Sequence, residues 1–135
     1  MSVRVLVIDD EESIRFTFNA FLTDAGYRVS LAGTFSEGMD ELVRNPFDVV
    51  LLDVILEGGS GLDLLRQMKP AETSPIFIVI SGYPNPDAAA DAKRLGAFEF
   101  IPKPVTQDRL LAAVKEALDS KKTARGEENT TPKPA

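Results

Sequence analysis

A chain of 135 residues, 44% of them hydrophobic, is long enough for one domain with its own core and too short for two of ordinary size. It contains neither cysteine nor histidine, which removes disulfides, thiolate nucleophiles, imidazole bases and the common zinc ligand sets together. Its net charge of −6 argues against direct binding to nucleic acid or to an anionic membrane, since both are bound through clustered Lys and Arg.

Short β-branched runs alternate with longer stretches of helical period. The first strand, Val3–Ile8, stands where a secreted protein would carry a charged n-region and an apolar h-region. No window approaches the roughly 20 apolar residues of a membrane helix, so a cytoplasmic location is expected. Ile14, Phe18, Phe21 and Ala25 recur at helical spacing, with Gly26 placed as a C′ glycine. A second strand, Tyr27–Leu31, leads into Thr34-Phe35-Ser36-Glu37, whose capping-box spacing opens a helix that must stop before Pro46. The third strand, Phe47–Asp53, and the fourth, Ile76–Ser81, contain VVLLD and IFIVI, the near-continuous apolar runs of strands buried on both faces of a parallel sheet.

Between these two, Ser60 caps a helix that turns Leu62, Leu65 and Met68 inward and ends near Pro70. Asn85-Pro86 supplies a cap and an N1 proline for a fourth helix closed by Gly96. A fifth strand, Ala97–Ile101, precedes a helix capped by Thr106 with Leu110, Leu111, Val114 and Leu118 inward. The series is (βα)5, a doubly wound α/β fold with a parallel five-stranded sheet. From Lys121 the chain turns polar and loses periodicity, which predicts a domain over residues 1–120 and a disordered tail over 121–135.

In open parallel α/β sheets, ligands bind beyond the carboxyl ends of the strands. Here those ends carry Asp9-Asp10, Asp53, Ser81-Gly82 and Lys103-Pro104. Each has a plain alternative: Asp9 and Asp10 as charges at a helix N-terminus, Ser81 as a turn residue, Lys103 as a solvated loop lysine. Their convergence on one edge argues for a shared site. Carboxylates about 4 Å apart repel by about 4 kcal/mol at an effective dielectric of 20, so a partly dehydrated trio calls for a cation. All-oxygen ligation with few protein groups suits Mg²⁺, which then takes phosphate oxygens. Lys103 and Ser81 offer a positive charge and a donor for those oxygens.

The motifs VLVIDDEESIR, DVVLLDVILEGGSGLDLL, IFIVISGY and LGAFEFIPKPV, in this order and spacing, resemble the response-regulator receiver domain of two-component signalling, from about Val3 to Ser120. The resemblance implies a flavodoxin-like strand order 2-1-3-4-5 and a phosphorelay switch in place of a turnover enzyme. Asp53 is then the phosphoacceptor, Asp10 and Asp53 bind Mg²⁺ directly, Asp9 binds it through a water, and the Ile55 carbonyl completes the protein ligands. Ser81 and Lys103 contact the phosphoryl oxygens, Lys103-Pro104 is cis, and Ser81 and Phe100 form the switch, although Phe100 alone reads as a core aromatic. Gly61 stands eight residues after Asp53, as in the family.

The same resemblance implies a histidine kinase or phosphotransfer protein as donor, since this chain has no histidine. It implies a change in the surface of the fourth helix, fifth strand and fifth helix that controls a downstream effector or a missing output domain, and a homodimer formed on phosphorylation. Ile55 and Tyr83, each two residues past a site residue, offer no carboxylate or amide to orient water, so slow self-dephosphorylation is expected. The family commonly has Met-Pro after the acceptor; Leu56-Glu57-Gly58-Gly59 stands here, and a more flexible loop is expected. A flavin carrier of this topology would need a Ser/Thr/Gly-rich phosphate loop where DDEE stands, and an aspartyl-phosphate hydrolase would need DxD after the first strand. A degenerate receiver that only binds partners would lack the acidic pair, Asp53, Ser81 and Lys103.

Overall fold

The computed structural model of the protein describes residues 2–68, 75–82 and 86–129, with side chains described as far as Lys121. Five strands form one parallel sheet: β1 (Arg4–Ile8), β2 (Arg28–Ala32), β3 (Val49–Asp53), β6 (Ile76–Ser81) and β7 (Glu99–Pro102). Their spatial order is β2-β1-β3-β6-β7, which is the expected 2-1-3-4-5 once the short β4 (Ile55–Leu56) and β5 (Gly59–Ser60) are set aside. The helices are α1 (Glu12–Asp24), α2 (Phe35–Arg44), α3 (Gly61–Met68), α4 (Pro86–Arg94) and α5 (Gln107–Asn129).

Alternation along the central strands divides the core into two layers, because successive side chains leave a strand on opposite faces. Val5, Val7, Val49, Leu51, Ile78 and Ile80 pack with Phe18 and Leu22 of α1 and Leu110, Ala113, Val114 and Ala117 of α5. Leu6, Ile8, Val50, Leu52 and Val79 pack on the other face with Leu64 and Leu65 of α3 and Ala92 of α4. Burying each large aliphatic side chain stabilises the fold by roughly 1.5–3 kcal/mol before entropy is counted. Both faces of β3 are therefore closed, and the strand can leave the core only at its ends.

The helix boundaries follow their caps. Glu37 N–H donates to Thr34 Oγ1 at 3.0 Å and Gly33 N–H donates to Glu37 Oε1 at 2.7 Å, so the reciprocal bond of the capping box falls one residue before the cap. Leu62 N–H donates to Ser60 Oγ and Arg109 N–H to Thr106 Oγ1, each at 3.1 Å. Gly26 and Gly96 adopt φ of 96° and 103° just past α1 and α4, as C′ glycines do. Ala25 is the C-cap of α1 and exposed, and Leu22 fills the inward place instead. Pro70 and Asn85 lie outside the described residues.

α5 runs to Asn129, past Lys121, where the sequence loses its apolar period. One expectation is corrected. The loop after Asp53 is a defined hairpin in which Ile55 pairs with Ser60 and Leu56 with Gly59. Gly58, at φ 91°, takes the positive-φ position of its turn. Phe35 N–H donates to the Glu57 carbonyl at 3.0 Å, and a Cβ at Gly59 would lie 2.8 Å from the Phe35 ring. The glycines that suggested slack instead let this hairpin lie flat against the start of α2.

Candidate functional site

Sheet order reverses between β1 and β3, and the acidic residues gather at the carboxyl ends of those two strands. Asp9 follows β1 and Asp53 ends β3; their relative exposures of 2% and 6% make them buried carboxylates. Asp10 is exposed. One carboxylate oxygen from each of Asp9, Asp10 and Asp53 lies within 4.8 Å of the others, the one such acidic group among the described residues. Ser81, 1% exposed, ends β6, and its carbonyl accepts from Lys103 N–H at 2.8 Å. That bond seats the lysine backbone beside the acidic pair, and the Lys103-Pro104 peptide is cis.

Lys103 Nζ sits among three carboxylates. It lies 2.9 Å from Asp9 Oδ2, 3.0 Å from Glu11 Oε1 and 3.2 Å from Asp53 Oδ2. Burial alone would lower its affinity for the proton, but the bonds to Asp9 and Glu11 and the charges of Asp53 and Asp9 outweigh it, and the ammonium is held above the ordinary lysine range. Burial first, and the Asp9 charge second, push the Asp53 carboxyl up to about 6 against the opposing pull of Lys103 and the Ile55 N–H. One lysine therefore offsets only part of the cost of collecting these carboxylates.

An open cleft of about 230 Å³ adjoins them, lined by Asp10, Glu11, Asp53, Ile55, Gly82 and Lys103. Ile55 is 50% exposed, and its backbone N–H donates to Asp53 Oδ1 at 3.3 Å. Phe100 is half-buried against the core layer beneath α3 and α4. Tyr83 lies outside the described residues. The carboxylate set fits a small hard cation: oxygens on opposite sides of Mg²⁺ at 2.0–2.1 Å are roughly 4.2 Å apart, and the exposed side leaves room for waters and an anion.

One contributor escaped the sequence reading. Glu11 is the third partner of Lys103, and nothing distinguishes it in sequence from the solvated Glu12 beside it. Gly61 fits by contact, since a Cβ there would lie 2.0 Å from the Asp53 carbonyl oxygen. The family spacing located this residue, whereas the close approach behind it requires the fold.

The fold and site define a doubly wound α/β protein with a carboxylate–lysine centre at its topological switch point. Residues 5–115 match the response regulator receiver domain family, and the chain belongs to that family as a receiver domain of a two-component response regulator. An NtrX-like response regulator of Rickettsia bellii is 33% identical over 91% of this chain and 26% of its own length. The alginate biosynthesis transcriptional regulatory protein AlgB of Pseudomonas aeruginosa is 36% identical over 90% of the chain and 27% of its length. The chain thus spans about a quarter of these relatives. Among solved structures, a CheY-like receiver from Methanospirillum hungatei superposes with TM-score 0.88 at 28% identity, over 92% of this chain and 99% of that one. NtrX from Brucella abortus superposes with TM-score 0.86 at 32% identity, over 95% of this chain and 29% of that one. Receiver domains generally bind Mg²⁺ at an acidic pocket and interact with histidine kinases and output domains. No helix among the described residues is long and apolar enough to cross a membrane.

Proposed function

We propose that Asp53 accepts a phosphoryl group from a phosphohistidine on a partner kinase or phosphotransfer protein, and that the modified domain then controls a downstream effector or output domain. The observation that carries this reading is the single ammonium of Lys103 shared between buried Asp9 and Asp53 beside an open cleft. An Asp53 oxygen forms the new bond to phosphorus as the phosphorus–nitrogen bond of the donor breaks, so the chain's task is positioning and charge stabilisation. Asp10 and Asp53, with the Ile55 carbonyl and with Asp9 through a water, would hold Mg²⁺, whose charge would stabilise the transferring oxygens. Lys103 is placed to leave Asp53 and follow the negative charge to the phosphoryl oxygens. Ser81, at the end of β6 next to Gly82 of the cleft, would offer its hydroxyl to a phosphoryl oxygen.

Movement of Ser81 toward the phosphoryl group would let the half-buried Phe100 swing inward and alter the face of α4, β7 and α5. That face would meet the effector, or a second phosphorylated copy. Incubation with Mg²⁺ and acetyl phosphate should add one phosphoryl group to the wild type and none to Asp53→Asn by intact-mass measurement. Equal labelling of the variant, mapped to another residue, would place the acceptor elsewhere.

A further inference from the structure

The turn from β1 to α1 is held by three hydrogen bonds. Asp9 N–H donates to the Ala32 carbonyl at 3.1 Å, and Glu11 N–H donates to Asp9 Oδ1 at 2.9 Å. These two fix Asp9. The third runs from Arg15 Nη1 to the Asp9 carbonyl at 2.7 Å, and it fixes the peptide plane joining Asp9 to Asp10. Asp10 is exposed, so the aim of its carboxylate depends on that plane more than on packing.

The guanidinium has a seat of its own. A Cβ at Gly33 would lie 2.8 Å from Arg15 Nη1 and 3.1 Å from its Cζ, so the absent side chain at Gly33 is what lets Arg15 cross. Gly33 is in turn held by its N–H bond to Glu37 Oε1. Arg15 is therefore a strut between the β1–α1 and β2–α2 turns, and it ends on the residue that precedes Asp10.

We propose that Arg15, seated on Gly33, is a positioning residue that aims Asp10 at the divalent cation. The proposal rests on the metal reading above. Charge and positioning make opposite demands. A cation near an acidic site opposes binding of a second cation, so removing Arg15 for its charge alone would tighten Mg²⁺. Removing it as a strut frees a peptide that must be ordered again when the metal binds, which weakens Mg²⁺.

Calorimetric Mg²⁺ titration without any phosphodonor separates the two. Arg15→Met should weaken Mg²⁺ by about 10-fold, the scale on which groups that orient metal ligands act, with an unchanged thermal midpoint in chelator. Gly33→Ala keeps the charge but dislodges the guanidinium, and it should weaken binding comparably, while the double variant loses no more than Arg15→Met alone. Arg15→Met that binds Mg²⁺ as tightly as the wild type or more so overturns the proposal. Wild-type affinity in Gly33→Ala, or additive losses in the double variant, also overturns it. A wild type with no saturable Mg²⁺ binding overturns the metal reading itself.

Discussion

At Asp53, burial and the Asp9 charge hold the carboxyl near 6, above its ordinary 3.8. The folded chain then keeps a proton that the unfolded chain has already lost, so stability falls as pH rises from about 4 to about 6 and stays lower above that window. Lys103 has its pKa raised, so its contribution is fully present throughout this range. Asp53→Asn should remove the fall and, without Mg²⁺, exceed the wild type at pH 7.5 by on the order of 1 kcal/mol, after allowing for the lost Lys103 contact. Thermal melts in chelator at pH 4.5 and 7.5 test this; a wild type as stable at 7.5 as at 4.5 would count against it. A second expectation concerns Ile55, half-exposed in the cleft. Ile55→Asn should speed loss of the phosphoryl group several-fold by orienting a water, and single-turnover decay equal to wild type would remove Ile55 from that role. The acidic pair, Asp53, Ser81 and Lys103 were legible because each closes or follows a strand. Glu11 and Arg15 were not, because a Glu or Arg in the first turn of a helix usually faces solvent, and only tertiary contact shows otherwise.

Among the elements, the five sheet strands and five helices were readable from apolar period and caps, with strand ends displaced by a residue or two where pairing decides the boundary. Phe47, for instance, is buried but precedes the β3 ladder, which begins at Val49. The hairpin of β4 and β5 was not readable. Glu57-Gly58-Gly59 signals a turn, yet the Phe35 contact that settles its position comes from a segment more than twenty residues earlier. Gly59→Val should force the hairpin off the Phe35 ring and cost about 1–3 kcal/mol, the usual range for overpacking. Urea denaturation checks this, and Gly59→Val paired with Phe35→Ala should recover much of the loss. An undiminished loss in the pair would mean that Phe35 is not the obstacle.

Across the whole molecule, the two core layers account for the domain as far as Lys121, whose Nζ lies 3.6 Å from Asp48 Oδ1. Ending the chain after Lys121 should therefore leave the thermal midpoint within about 2 °C of the full chain, a change under about 0.5 kcal/mol, while lowering the helical ellipticity. A large fall in midpoint would show that the rest of α5 supports the fold. The 23 residues of α5 extend roughly 34 Å at 1.5 Å per residue, and Thr106, which caps them, stands three residues after Lys103. Were its first turn to shift with the lysine, a helix this long would act as a lever. A tilt of roughly 5° about its first turn would carry the last turn roughly 3 Å, so a rearrangement of bond length at the carboxylates would become a side-chain-sized displacement far from them.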